Sequence, residues 1–340
     1  MSEYDAVAGI LERGLPLVRE PFAEIGARLG IPERDVLIAA REMKNSGLIR
    51  RFGAFFDYHR LGFRGYLFGS DVSGASGKVI EKICGMPSVT HAYGREHKLN
   101  FWFTALFKET SAVSCVEKIC SYLEETGCPF VVLETVSTIK LRPSFAGYDL
   151  EPRSTAIPPF PESLATDERL LKIVIAMSGE TPLTSRPFDI IAGVSGVSVD
   201  ELLRGAERLS EMGILRRIGA SFDHYKAGWN FNSLCAARAR DIFPSGAGLS
   251  GILIQPWVSH CYLRKVYYCD NRVAWPYNLY MMIHADSEDM LAGRENILRR
   301  ELSDNFLNDK SPDESDKPDF VSMRTTREYK KISFKMDWRD

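Results

Sequence analysis

No window of the 340-residue chain approaches the length of apolar sequence that a membrane-spanning helix requires. Its opening, MSEYDAVAGILERG, carries acids where a secretory signal needs a basic start followed by an apolar run, so a cytoplasmic location is expected. The seven cysteines are odd in number and scattered, without a Cys-x-x-Cys pair. That excludes a disulfide framework and a zinc or iron–sulfur ligand set, and leaves buried thiols as the expectation. A large excess of one charge is also missing: the formal net charge is −2, which gives no global electrostatic reason to bind a polyanion. What is present, 45% hydrophobic and 26% charged residues, is the composition of a soluble globular protein long enough for more than one core.

An internal repeat sets the organisation. GLIRRFGAFFDYHRLGF at 47–63 matches GILRRIGASFDHYKAGW at 213–229, and VTHAYGR at 89–95 matches VSHCYLR at 258–264. Between the copies, residues 142–166 hold five prolines and read as an extended linker. The domain expectation is a winged helix-turn-helix over 1–63, a ferredoxin-like domain over 64–145, a linker over 146–166, a second winged helix-turn-helix over 167–229 and a second ferredoxin-like domain over 230–340.

Each half carries the same plan. PFAEIGARLG and ERDVLIAAREMKNSG read as two helices joined at Ile31-Pro32 and closed by Gly47; PFDIIAGVSG and VSVDELLRGAERLSEMG repeat this up to Gly213. A wing strand follows, then strand, helix, hairpin, helix and strand, with the helices over Lys78–Gly85, 245–254, Ser111–Thr126 and Ser287–Asn305. The fold class expected is therefore α+β: a tandem winged helix-turn-helix plus ferredoxin-like (βαββαβ) repeat, arranged as a pseudo-dimer. The acidic, proline-containing segment 304–319 reads as a mobile surface loop. This order resembles the leucine-responsive and asparagine-responsive transcription regulators of the Lrp/AsnC type, which bind DNA. The helices in the recognition position argue against that activity. Glu33–Ser46 balances Arg34, Arg41 and Lys44 against Glu33, Asp35 and Glu42, and Val199–Met212 sets Arg204 and Arg208 against Asp200, Glu201, Glu207 and Glu211. A neutral or acidic helix is repelled by phosphates.

Two constellations carry chemistry. In the wings, alternation places Phe52, Ala54 and Phe56, and likewise Ile218, Ala220 and Phe222, on an apolar face. Arg51 and Arg217 share the other face with Gly53 and Gly219, leaving a flat slot beside a carboxylate anchor, and Arg50 and Arg216 complete each pair. The alternative is a solvated strand face with a local bend. In the hairpins, Val258, His260, Tyr262 and Arg264 fall on one face of one strand, and Asn278, Tyr280, Met282 and His284 on one face of the next. His91 and Arg95 repeat this in the first half, with His97 in its turn; His59 and His224 read as surface. The tail TTREYKK places Arg327 and Lys330 on a terminal strand, as anion contacts or as a charged edge. Cations around aromatic walls with one or two histidines suit a large, flat, polycarboxylated ligand.

The Arg-Arg-x-Gly-Ala wing, the His-x-Tyr-x-Arg strand, the run WPYNLYMMIH at 275–284 and the Thr-Arg-Glu-Tyr-Lys-Lys tail resemble the siroheme decarboxylases, and the chain looks like their fused two-subunit form. The first half departs from the pattern, with LNFWF where the second has the WPYN run. The resemblance implies removal of carbon dioxide from two acetate side chains of siroheme to give didecarboxysiroheme, on the way to haem or haem d1. It implies no cofactor beyond siroheme, no DNA or membrane partner, and leaves a homodimer of the fused chain open. His260, His91, His284 and Tyr262 become the catalytic candidates, with His260 or His91 as the proton donor or the ligand of the siroheme iron. Arg50, Arg51, Arg95, His97, Arg216, Arg217, Arg264, Trp275, Tyr277, Asn278, Arg327 and Lys330 become the substrate-binding candidates. The competing classes are a tetrapyrrole-sensing regulator on the same scaffold and a non-catalytic carrier.

Overall fold

The computed structural model describes residues 3–75, 77–141, 155–156, 167–223, 225–226, 228–238, 249–306 and 320–332. The proline-rich linker over 146–166 and the acidic segment over 304–319 therefore lie mostly outside the described residues, as does His224. The first half runs α1 (Glu3–Arg13), α2 (Pro21–Leu29), α3 (Glu33–Asn45), β1 (Ile49–Phe56), β2 (Phe63–Ser70), α4 (Lys78–Gly85), β3 (Val89–Arg95), β4 (Phe101–Lys108), α5 (Ala112–Glu125) and β5 (Phe130–Leu141). After a two-residue strand β6 (Thr155–Ala156), the second runs α6 (Glu168–Met177), α7 (Pro187–Ser195), α8 (Val199–Glu211), β7 (Leu215–Phe222), β8 (Phe231–Ala237), α9 (Ser250–Leu253), β9 (Val258–Cys269), β10 (Leu279–Ala285), α10 (Glu288–Phe306) and β11 (Phe320–Lys331).

The described residues divide into two compact units that cut across the repeat: one lies within 3–61 and 167–228, the other within 62–141, 155–156 and 229–332. The first unit holds both helix-turn-helix segments. α2 and α7 each start with proline, whose fixed φ suits a first helical turn, and α8 is opened by a reciprocal cap between Ser198 and Glu201. Gly47 and Gly213, at φ 75° and 68°, turn the chain from helix to wing as the sequence suggests. Each helix-turn-helix has a third helix, α1 or α6, that the sequence reading omitted. For α6 the signal was present: Asp167 caps the Leu170 N–H, and Leu170, Ile173, Val174 and Met177 recur at helical spacing and are buried.

The wings pair with each other. β1 and β7 form an antiparallel ribbon in which Gly53 lies opposite Gly219. Thr181 N–H donates to Phe52 O at 2.8 Å, and Leu15 N–H to Ile218 O at 2.6 Å, so each wing is flanked by chain that follows the other half's first helix. The flat slot expected beside the wing glycines is filled by this backbone. A Cβ on Gly53 would lie 2.7 Å from Gly179 O, and one on Gly219 would lie 2.4 Å from Leu11 O.

The second unit is a strand ring. Its order, β2-β4-β3-β11-β8-β10-β9-β5, closes because β5 also pairs with β2. Each half contributes one ferredoxin-like sheet, β5-β2-β4-β3 and β11-β8-β10-β9, and the halves are sewn together by the antiparallel seams β3–β11 and β5–β9. Alternation divides the side chains between two faces. Outward, Phe68, Phe101 and Phe103 pack with α4 and α5, while Val258, Met281 and Ile283 pack with α9 and α10. Inward, a third cluster draws on both halves, with Leu67, Trp102, Leu133, Leu234, Tyr280 and Met323 among its members. This ring interior holds the candidate site.

Candidate active site

Two equivalent ladders line the interior. On β3 the rings of His91 and Tyr93 are stacked with centroids 6.4 Å apart, and the Arg95 guanidinium lies 5.0 Å over Tyr93. On β9 the His260 and Tyr262 rings are stacked at 6.1 Å, with Arg264 4.7 Å over Tyr262. A cation over an aromatic face is attracted by the ring quadrupole, so each tyrosine holds its arginine in place. Both arginines are buried, and each finds a threonine across a seam between halves. Arg95 Nη1 donates to Thr325 Oγ1 at 2.6 Å, and Arg264 Nη1 to Thr135 Oγ1 at 2.7 Å. Thr325 Oγ1 in turn donates to Asn232 Oδ1. Burial lowers the Arg264 pKa, and its Nε makes no hydrogen bond to the described residues.

A bulge sets the direction of each histidine. The register slips between Val89 and His91, and again opposite Val258 and His260, which brings Thr90 and Ser259 beside the rings. Thr90 Oγ1 lies 2.9 Å from His91 Nδ1, and Ser259 Oγ lies 2.7 Å from His260 Nδ1. The same bulge corrects the expected face of Val258, which is turned outward into the cluster under α9 and α10. Ser259 Oγ also lies 2.8 Å from His284 Nε2 and donates weakly to Met282 O at 3.3 Å. The two histidines are thereby joined through one hydroxyl. Burial, reinforced by Lys140, Lys331 and Arg264, pushes the His260 pKa down to about 4. It is a neutral imidazole at pH 7.

The remaining wall is aromatic. Trp102 and Trp275 pack at a tilt of 48° with centroids 5.1 Å apart, Trp275 meets Tyr277 edge-on at 5.0 Å, and His97 meets Trp275 edge-on at 5.5 Å. Trp275 Nε1 donates to Tyr280 Oη at 2.6 Å, and Tyr280 donates to Tyr277 O at 3.0 Å. His97 Nδ1 accepts from Leu99 N–H at 3.0 Å, and burial lowers its pKa. Asn278 extends the sheet just before β10, its carbonyl accepting from Arg264 N–H at 2.8 Å.

Two candidates on β11 face elsewhere. Lys330 Nζ donates to Cys84 O at 2.6 Å and Met86 O at 2.8 Å, at the end of α4. The exposed Arg327 lies 5.0 Å over Tyr329, a ring packed into the outer cluster under α4 and α5. Register slips between Thr325 and Arg327 and between Glu328 and Lys330 change which residues point inward, so Lys331 becomes the partner of His91. Lys331, Thr90, Ser259, Thr135, Thr325 and Trp102 were missed in the sequence; bulges and cross-seam partners leave no periodic signal.

The wing arginines belong to the helical unit and are engaged within it. Arg216 pairs with Asp57 at 2.8 Å, Arg50 donates to Ser221 Oγ at 3.5 Å, and Arg51 to Ser178 O at 3.3 Å. Arg51 and Arg217 also lie over the Phe55 ring, at 5.0 Å and 3.9 Å. In the recognition-position helices, Arg41 is tied to Leu183 O, Lys44 to Glu180 and Arg208 to Asp167. Among the described residues, no helix is long and apolar enough to cross a membrane.

Residues 226–330 match the AsnC-like ligand binding domain, and residues 6–50 match the siroheme decarboxylase NirDL-like HTH domain. A siroheme decarboxylase of Hydrogenobacter thermophilus is 28% identical, with 98% of this chain and 95% of that one covered. The siroheme decarboxylase alpha subunit of Desulfovibrio desulfuricans is 35% identical over 40% of this chain and 78% of its own. A crystal structure of the siroheme decarboxylase NirDL superposes with a TM-score of 0.67 at 25% identity, covering 98% of this chain and 94% of that one. A second, with an iron-uroporphyrin III analogue, gives the same TM-score at 24% identity.

Proposed function

Because the chain belongs to the siroheme decarboxylase family, we propose that it is a carboxy-lyase that takes carbon dioxide from two acetate side chains of siroheme and leaves methyl groups, giving didecarboxysiroheme. The observation that carries this reading is the paired ladder. Two buried arginines, each held by a tyrosine face and a threonine, stand in one ring interior with two histidines and a wall of tryptophan and tyrosine. Guanidinium groups fixed in this way suit carboxylates, and the flat rings suit a macrocycle.

Loss of carbon dioxide leaves an electron pair on the methylene carbon, which the macrocycle of the substrate delocalises, so no cofactor beyond siroheme is invoked. The protein has three tasks. It holds the unreactive carboxylates on Arg95 and Arg264, removes water from the reacting one, and returns a proton to the carbon. We assign delivery of the proton to His260, whose neutral ring must take a proton at Nδ1, where Ser259 Oγ lies 2.7 Å away, as it gives one up at Nε2, and leave His91 available to the iron of the substrate. The reading against DNA binding rests on Arg41, Lys44 and Arg208, whose charged ends are taken up within the helical unit.

Anaerobic incubation with siroheme, followed by mass spectrometry of the extracted tetrapyrrole, tests the reading. Loss of two carboxyl masses is expected. Siroheme that co-purifies unchanged would make the protein a carrier or sensor, and absence of binding would overturn the site.

A further inference from the structure

The two seams of the strand ring match bulge for bulge. Between β5 and β9 the register slips from Thr135 to Ser137 and from Thr138 to Lys140; between β11 and β3 it slips from Thr325 to Arg327 and from Glu328 to Lys330. Thr325 thus answers to Thr135, each holding a buried arginine, and Lys330 to Lys140, each bound to carbonyls at the end of a helix. The correspondence fails at two posts. Opposite Tyr262 and His260 stand Thr138 and Leu141; opposite Tyr93 and His91 stand Glu328 and Lys331.

Every pairing round the ring is antiparallel, so β3 and β9, four places apart, run the same way. His91 and His260 consequently stand toward one end of the ring and Arg95 and Arg264 toward the other, with about 13 Å of strand between each histidine and its arginine. Lys331 is at the histidine end. Directly opposed residues of an antiparallel pair face the same side, so its side chain shares the interior with His91. Its charge also reaches across to His260, where it helps to lower the pKa.

We propose that Lys331 is a specificity-determining residue that receives one carboxylate of the substrate at the histidine end of the ring and so fixes which way round the macrocycle sits. The inference rests on the siroheme decarboxylase reading and deepens it. The His-x-Tyr-x-Arg ladders are written twice, and a repeated ladder by itself cannot tell one edge of a macrocycle from the opposite edge. A cation on one seam, with leucine at the matching post of the other, can. The side chain of Lys331 is 12% exposed, and it meets Glu328 at 3.7 Å, a long contact to a carboxylate that is itself 33% exposed. Such a pair contributes little, and water can take over the solvation of Glu328 when the ammonium turns to an enclosed carboxylate.

Two measurements on the full chain test the assignment: anaerobic titration with siroheme, followed by the absorption of the macrocycle, and chromatography of the once-decarboxylated product of a single turnover. Wild type should give one predominant isomer. Lys331→Met is expected to weaken binding about tenfold, the scale of one charge-assisted hydrogen bond, and to give both isomers. Lys331→Arg, which keeps the charge, should bind within about threefold of wild type and keep the single isomer. Glu328→Gln separates an anchor from a structural ion pair: it should tighten binding about twofold and leave the isomer unchanged. A single isomer from Lys331→Met, both isomers from wild type, or a Glu328→Gln variant that weakens binding as Lys331→Met does would overturn the assignment. Should Lys331→Met fail to fold, Lys331→Gln is read in the same way. Wild type that binds siroheme and releases no carbon dioxide would overturn the functional reading instead, and the affinities of the variants would still decide for or against the anchor.

Discussion

Lys140 and Lys330 hold the same post in the two halves of the strand ring. Lys140 Nζ donates to Leu253 O at 2.7 Å and Gln255 O at 2.8 Å, closing α9, as Lys330 Nζ donates to Cys84 O and Met86 O to close α4. A cation among the last carbonyls of a helix satisfies acceptors that the helix leaves open and opposes its dipole.

Lys330→Met should therefore act on stability and leave substrate binding alone. Urea denaturation is expected to show a loss of about 1–3 kcal/mol, the scale of charge-assisted hydrogen bonds, with the KM for siroheme unchanged. A raised KM at unchanged stability would return Lys330 to the substrate site.

Thr135→Val and Thr325→Val should have the opposite effect. Each keeps the shape of the side chain and removes the acceptor that fixes a buried guanidinium. Steady-state kinetics should show KM raised about tenfold, the equivalent of about 1.4 kcal/mol, with a smaller change in kcat. Serine at either position should restore most of the affinity.

These two pairs show how far the sequence could be read. The His-x-Tyr-x-Arg strands were legible because they are written twice and obey the period of a strand, which brought His91, Arg95, His260 and Arg264 to one face. The tail was not. Two register slips in β11 turn Arg327 outward and set Lys331, where unbroken pairing would set Tyr329, opposite His91, and a slip is a property of the pairing that no single strand encodes. The same limit turned Val258 outward, and hid Thr135 and Thr325, which reach their arginines only after the halves are sewn together. The wing glycines were read as a flat slot beside a carboxylate anchor, and the slot is filled by backbone.

Gly53→Ala and Gly219→Ala test that point. A Cβ would press on Gly179 O or Leu11 O, neither of which can swing aside as a side chain does. Thermal unfolding of the helical unit should show a loss of about 1–3 kcal/mol for each.

The acid side of the stability profile should carry the mark of His260. Its folded pKa of about 4 lies below the ordinary value of 6.5, so between these values the unfolded chain binds the proton that the folded one refuses. The contribution is complete above pH 6.5 and is lost as the pH falls toward 4. In urea denaturation between pH 7 and 4.5, wild type should lose on the order of 1–3 kcal/mol more than His260→Gln. Parallel losses in the two proteins would contradict the cation-ringed position of the half-buried imidazole.

Sewing the halves together also imposes an order of events on synthesis. Arg95 waits for Thr325, 230 residues further along the chain, and Arg264 reaches back 129 residues to Thr135. Contacts of such length form late, because the loop they close must be ordered before they give anything back. While the second half is being made, β3 stands as the bare edge of a four-stranded sheet, open to pairing with any other strand nearby. On the ribosome, then, the first ladder is the earlier to be written and the later to be finished.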